Sequence, residues 1–355
     1  MKRIDRWATR ALAAGLGSCL LLLVSVAAGA SAAAGSSPSG ALELEAKAFG
    51  QPAEIEIVGL SAKATRAALH KAFDRLHEVE GLIHSDIGKI DRGSELEREV
   101  TVSPETAELL ERADHFCTWS QGANGPLGGD LAAHWRAVGT NPSAPPPGRA
   151  LVASAACNHL TVNRKASQVW IAAHSRADVD GFAAGFAVDQ AVAALRDAGV
   201  TNGRVRVGRI VRAFGPGPTG SEDTRESSGA DDDSAGRGWP VSLPVFEGFR
   251  RPLDRVVLRD QALAVVWRAD WTDGTPRYVD QRTGEPPHGV WATIAVTDLA
   301  VDAQALAASA MVLGSREGRF KIAALEPHPS VLWLLGSGKG KPLLTDYNWA
   351  ALRIP

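Results

Sequence analysis

Two glycines four residues apart, Gly181 and Gly185, open an apolar run bounded by Asp178 and Asp189: Asp-Val-Asp-Gly-Phe-Ala-Ala-Gly-Phe-Ala-Val-Asp. Glycine has no Cβ, so a helix that starts on such a pair can bring its backbone unusually near another group. Phe186, Val188, Ala191, Val192 and Leu195 carry the run on as a helix, and Gly199 supplies a C-cap glycine. The pair demands a partner at close range. That partner is either a second helix packed tightly or a phosphate, and both readings stand.

The chain has 355 residues, enough for a large core in one big domain or two lobes. With 45% apolar and 22% charged residues it has a globular composition. A net charge of −2 leaves no basic excess for a nucleic-acid footprint. Lys2, Arg3, Arg6 and Arg10 form a basic n-region, Ala11–Ala30 is almost wholly small or apolar, and Ala30-Ser31-Ala32 fits a cleavage site. Residues 1–32 therefore read as a signal peptide and 33–41 as a flexible Gly/Ser/Ala-rich leader, giving an exported, periplasmic or otherwise extracytoplasmic product. The apolar run is also about long enough to span a bilayer, so an uncleaved anchor competes with cleavage. Any membrane contact is expected through this segment alone. Leu16-Gly17-Ser18-Cys19 resembles a lipobox only faintly, because the most apolar residues, Leu20–Val24, follow the cysteine. Loss of the signal removes four basic residues and Asp5, taking the net charge from −2 to −5. It leaves Cys117 and Cys157, an even pair that an oxidising compartment lets form a disulfide. Two buried thiols satisfy the sequence equally, and the spacing matches no metal site.

Residues 42–355 read as one α+β domain, since strands and helices mix without strict βαβ alternation and no fixed-period repeat occurs. Leu42 to Val58 alternates as a hairpin. Leu69, Phe73, Leu76, Val79 and Ile83 form the apolar stripe of a first helix, and Ser103-Pro104 starts a second. Residues 140–149 read as a Pro-rich loop. His159–Val162, Val169–Ala172, Arg204–Val211, Leu263–Val266 and Trp291–Val296 read as strands, Val301–Leu313 as an Ala-rich helix, and Phe320–Leu325 and Val331–Leu335 close the fold. Residues 215–238, with Glu222, Asp223, Glu226 and Asp231-Asp232-Asp233, read as a disordered acidic insert. A calcium- or partner-binding loop is the competing reading, although EF-hand spacing is absent. His70, His77 and His84 recur every seven residues, but two helical turns set neighbours roughly 10 Å apart, too far to share an ion.

Several short motifs occur in a fixed order. The Asp178–Asp189 run resembles the D-x-G-G-x-A-K-G-x-A-x-D signature of the FAD:protein FMN transferases, the ApbE-like flavin transferases. Phe49-Gly50-Gln51 stands where that family has M-G-T, and Ser94-Glu95-Leu96-Glu97-Arg98 is similar to its S-E-x-x-R. Gly122 to Leu127 stands at G-A-F-D-P-T, followed by Trp135, and Val207 to Ile210 stands at a G-G-D pair. Asp280-Gln281-Arg282-Thr283-Gly284-Glu285-Pro286 is close to D-P-R-T-G-x-P, and Ala303 to Ala308 stands for A-D-A-L-A-T. The resemblance covers residues 49 to 314 and implies a two-lobed mixed sheet and helix fold. It also implies FAD between the lobes, a magnesium ion on the pyrophosphate, and FMN transfer to a Thr or Ser of an acceptor flavoprotein. The implied flavin-contacting positions are Glu95, Gly181, Ala183, Gly185, Gly208, Asp280, Thr283 and Gly284. The implied metal positions are Ala183 through its carbonyl, Gln304 and Ala308.

The residues at these positions differ from the pattern. Gln304 and Ala308, four apart and so on one helix face, stand where the family has Asp and Thr. Magnesium wants hard oxygens in octahedral array, which an amide and a methyl group serve poorly. Asp302 lies about 200° round the helix from Gln304 and points elsewhere. Ala184 replaces a lysine, Asp180 a glycine, Arg277 a histidine, and Trp267-Arg268 a Ser-Gly pair whose space a ring would fill. Arg209 could compensate for the lysine, since guanidinium binds phosphate, or be a surface arginine on a strand. Arg282-Thr283-Gly284 could equally be a plain turn held by Asp280. No residue is assigned a catalytic role. Three functions follow: flavin or nucleotide binding without transfer, active FMN transfer, or non-catalytic interaction on the same fold.

Overall fold

The computed structural model describes residues 35–36, 42–139, 145–218, 238–271, 275–336 and 342–352. Residues 1–32, read above as a signal peptide, most of the expected leader and residues 219–237 of the expected acidic insert lie outside the described residues. A nine-stranded antiparallel sheet organises the fold. Its strands are β1 (Gly35–Ser36), β2 (Leu42–Ala48), β3 (Gln51–Ile57), β7 (Gly203–Val207), β8 (Ile210–Phe214), β11 (Ala262–Trp267), β12 (Val290–Thr297), β13 (Ser330–Leu335) and β14 (Leu343–Tyr347), in that spatial order. β4 (Val100–Thr101), β5 (Leu160–Asn163) and β6 (Gln168–Ile171) form a small sheet ordered β4-β6-β5. β9 (Trp239–Ser242) and β10 (Arg255–Leu258) form a separate ribbon.

Strand alternation divides the core between the two faces of the large sheet. Ile55, Val205, Val207, Ile210 and Ala264 turn to one face, where α1 (Ala62–Glu95), α2 (Pro104–Trp119), α5 (Ala183–Asp197) and α6 (Ala300–Ile322) pack. Val211, Leu263, Val265 and Ile294 turn to the other, against Trp239 and Phe246 at the ribbon and Trp349 from the C-terminal segment. The expected stripe on α1 is buried from Leu69 to Ile83, and α2 begins as expected, with the Thr106 N–H donating to Ser103 Oγ at 3.1 Å. The remaining α-helices, α3 (Gly129–Val138) and α4 (Arg149–Ala153), lie within the connection between α2 and β5.

Some expectations need correction. Arg204–Val211 is not one strand but the β7–β8 hairpin, turned at Gly208 with φ +56°. The two-residue turn pairs Val207 with Ile210, so both face the helices and the alternation shifts by one: Val211 faces outward, where a single strand would have put it inward. Phe320–Ile322 is the end of α6, with Gly314 (φ +69°) marking a kink that the periodic pattern does not show. The leader contributes β1, paired to β2 through Gly35↔Glu43. The ends of the insert are packed: the Gly217 N–H donates to Asn202 Oδ1 at 2.9 Å and the Gly238 N–H to Pro216 O at 2.8 Å.

Cys117 and Cys157 form a disulfide, with their Cα atoms 5.8 Å apart. It ties the end of α2 to the segment before β5 and sits under the 120–128 loop. A Cβ on Gly125 would meet Cys117 Cβ at 2.7 Å, so the bridge and a side chain at 125 exclude each other. The bridge closes a loop with a sequence separation of 40. Replacing both cysteines with serine should lower unfolding free energy by about 3–4 kcal/mol, read from the midpoint of a denaturant melt. An unchanged midpoint would remove the bridge from any stabilising role.

Candidate functional site

The Asp178–Asp189 run joins two helices. Gly185, in the first turn of α5, lies against the start of α6. A Cβ there would come within 2.7 Å of the Ala300 carbonyl carbon and 2.8 Å of Val301 Cα. Gly185 is therefore a close-packing glycine, while Gly181 has ordinary space around it, with Tyr278 Cε1 3.7 Å and Ala308 Cβ 3.8 Å from a built Cβ. Asp189 caps α6 from outside: its carboxylate accepts the Ala300 and Val301 N–H groups at 2.8 and 3.0 Å. Arg212 donates to the same carboxylate at 2.7 Å. These bonds satisfy donors that a helix start leaves orphaned and place negative charge at its positive end.

Gln304 completes the joint. Its Oε1 accepts the Gly185 N–H at 2.7 Å, and its Nε2 donates to the Asp180 carbonyl at 2.8 Å. Both ends of the amide are thus engaged, and the side chain is buried. Ala308, one turn further along α6, is buried beside Gly181 and offers only a methyl group. Asp302 faces away, as the helical geometry requires, in a two-bond pair with Arg112 at 2.6 and 2.7 Å.

A cleft of about 260 Å3 opens at this joint, lined by Ala183, Ala184, Gln304, Arg277, Tyr278 and Trp267 among others. A second hollow of about 260 Å3 holds His84, Arg136, Arg176 and Asp178. The two share Phe49, Asp180 and Ala183, so they meet at the first turn of α5. Each alone falls just below the usual ligand-pocket range, and a dinucleotide would need both. Phe49 sits at the β2–β3 hairpin tip with φ +52°, a strained conformation for an aromatic residue. Its N–H is held by Glu80 at 2.8 Å.

Charge in the cleft is partly self-neutralised. Arg209 forms a two-bond pair with Asp270 at 2.7 and 2.9 Å and lies over the Trp267 ring at 4.8 Å. It is a committed surface arginine, which corrects the reading of it as a substitute lysine. Trp267 meets Phe246 edge-on at 5.0 Å and stands in the cleft wall. Asp180 faces Arg277 at 3.6 Å. Burial, and then the Asp180 carboxylate, push Asp178 up to about 6. Burial pushes the Tyr278 phenol up to about 12, so it stays protonated.

The other expected positions disperse. Glu95 is exposed at the end of α1, in a separate groove with Asp130, His174 and Arg176. Gly208 belongs to the β7–β8 turn, its N–H donating to Pro52 O at 2.8 Å. Asp280, Thr283 and Gly284 form a closed turn: the Gly284 N–H donates to Asp280 O at 2.6 Å, and Arg282 bonds both Asp280 and Glu317. Trp135 Nε1 donates to Gly284 O at 2.9 Å, anchoring this turn to α3. None of these residues lines the cleft. Phe49, Tyr278 and Trp271 line it without having been singled out as site residues, and no spacing pattern marks them. Among the described residues, no cluster of three or more His, Cys, Asp or Glu could hold a metal.

A carboxyl group raised in the folded state costs stability as pH climbs from its unfolded to its folded value. Asp178→Asn keeps the acceptor for the Asp180 N–H, which donates to Asp178 Oδ1 at 3.0 Å. The variant should melt about 2–4 °C above the parent at about pH 7.5, and the gap should close by about pH 4. A gap that is constant with pH would remove the buried charge as its cause.

The profile of the ApbE family matches residues 49–332. The ApbE protein of Thermotoga maritima is 20% identical and superposes with a TM-score of 0.71, over 88% of this chain and 99% of that one. The flavin transferase ApbE of Vibrio cholerae is 19% identical, with a TM-score of 0.66 over 86% and 96% of the two chains. The flavinyl transferase ApbE of Pseudomonas stutzeri is 18% identical, with a TM-score of 0.67 over 86% and 94%. No curated protein sequence matched. A family match over residues 49–332, on a fold shared with these structures over 86–88% of this chain, establishes that the chain belongs to the ApbE family.

Proposed function

We propose that this protein binds a flavin or related nucleotide at the joint of α5 and α6 without magnesium-dependent FMN transfer. The observation that carries the reading is the double engagement of Gln304. In the family, an Asp at this position and a Thr at the position of Ala308 present oxygens to magnesium. A carboxylate can accept the Gly185 N–H but cannot donate to a carbonyl; it needs a cation between the two oxygens. The Gln304 NH2 group does the bridging itself. Magnesium does not fit here, because the amide oxygen is taken and Ala308 has nothing to offer. Among the described residues Asp178 and Asp180 belong to no group of three possible metal ligands, and Asp180 already faces Arg277.

The flavin half of the reading rests on chemistry that remains. Phe49, Trp267, Trp271 and Tyr278 give the cleft aromatic walls, and Arg136, Arg176 and Arg277 line its two halves as cations for phosphate. A bound flavin would supply its own ring for stacking, and this chain would orient it. Phosphoryl-type transfer depends mainly on neutralising developing charge, and Asp180 adds an anion where the family has glycine. Export is proposed from residues 1–32, and the Cys117–Cys157 bridge supports an oxidising compartment. A flavoprotein partner remains a proposal from family membership.

Titration with FAD should quench flavin fluorescence equally with magnesium and with EDTA. Incubation with FAD, magnesium and a flavodoxin-like acceptor should leave no covalent flavin on a denaturing gel; a fluorescent acceptor band would establish active transfer. No quenching at all would favour interaction on the same fold without flavin. Gln304→Asp with Ala308→Thr should make FAD binding respond to magnesium, and no response would mean that the cleft differs in more than these two groups.

A further inference from the structure

A second groove, of about 530 Å3, runs along the outer face of the large sheet beside the β9–β10 ribbon. Arg204, Arg206, Arg209 and Arg255 line it, with Glu56 the one carboxylate among its described lining residues and with Glu54 and Asp270 paired to Arg206 and Arg209 from beside it. Strand alternation puts two of them there: Val205 and Val207 turn to the helices, so Arg204 and Arg206 turn outward. Val211, Leu263 and Val265 form an apolar floor. The arginines are unequally committed. Arg204 pairs with Glu56 at 2.9 Å and lies over the Trp239 ring at 5.5 Å. Arg206 donates to the Gly208 carbonyl at 2.9 Å and reaches Glu54 at 3.4 Å, Arg209 is held by Asp270, and Arg255 forms no ion pair with any described residue. β9 borders the groove with an edge that no described strand pairs. The Leu243 N–H turns to Asp254 O in the β9–β10 register, so by alternation the Ser242 N–H and C=O face away from β10.

We infer that this groove docks an extended acidic peptide segment of a partner protein. The arginine excess selects an anionic ligand, the apolar floor takes alternate side chains, and the β9 edge offers main-chain pairing. A single-stranded nucleic acid would need exposed aromatic faces for stacking. The one aromatic ring among the groove's described lining residues, Trp239, is 1% exposed. Arg209 and Val265 line both this groove and the α5–α6 cleft, so a docked segment would end beside the cleft. The docking stands whether or not the cleft holds flavin.

Fluorescence anisotropy of the full chain tests it, using a labelled peptide of alternating Glu and Val, a Lys/Val counterpart and a labelled oligo(dT). The Glu/Val peptide should bind, and its affinity should fall as salt rises. Arg206→Glu with Arg255→Glu should weaken it about tenfold, with an unchanged thermal melt. Arg206→Gln with Arg255→Gln, which removes charge without reversing it, should weaken it less in the same direction. Absent binding, equal binding of the Lys/Val peptide, tighter binding of oligo(dT), or indifference to both double variants would each overturn the inference.

Discussion

Gln304 bonds two backbone groups at once, the Gly185 N–H at 2.7 Å and the Asp180 carbonyl at 2.8 Å, and so fixes the first turn of α5 on α6. Hydrogen bonds buried away from water are strong locally, and leaving either partner unmade costs about 1–3 kcal/mol. Two neighbouring features make the joint tight. Gly185 lets the helices touch backbone to backbone, and Asp189 caps α6 while pairing with Arg212 of β8. One segment of twelve residues therefore positions a helix pair, a sheet strand and the cleft between them.

The rest of the site is arranged around that joint. Two hairpin tips, Phe49-Gly50 and Gly208-Arg209, meet through the Gly208 N–H and Pro52 O and form one rim. The Asp280–Gly284 turn and the 120–128 loop are linked by Gln281 Nε2 donating to Gly125 O at 2.8 Å, and the Cys117–Cys157 disulfide lies beneath Gly125. Gly125 stands where the family motif has Asp, and the bridge gives a physical reason for the exchange: Cys117 takes the space that a side chain would need.

Periodicity made the scaffold legible. The α1 stripe, the Ser103 cap of α2, the α5 helix and its Gly199 turn all follow from local rules that the sequence displays directly. Asp302 was placed off the α5 side by helix geometry alone, and its Arg112 pair agrees. The β7–β8 turn is hard to read because both its strands are apolar and its one signal, Gly208, sits where the inward phase shifts from Val207 to Ile210. The role of Gln304 was legible only as a loss. No spacing states that its amide will span Asp180 and Gly185, because that contact joins residues 119 or more apart. Arg209 was ambiguous for the same reason, its partner Asp270 being 61 residues away. Asp280, Thr283 and Gly284 matched their motif well, yet they serve a turn anchored by Trp135 and not the cleft wall.

If the Gln304 amide stands in for a cation, the protein with FAD bound should hold no divalent ion at the joint. Manganese can replace magnesium and gives a spin-resonance signal that collapses on coordination. Adding the protein and FAD to a manganese solution should leave no more signal loss than FAD alone produces. A further loss, stoichiometric with protein, would contradict the closed joint and reopen metal-dependent transfer.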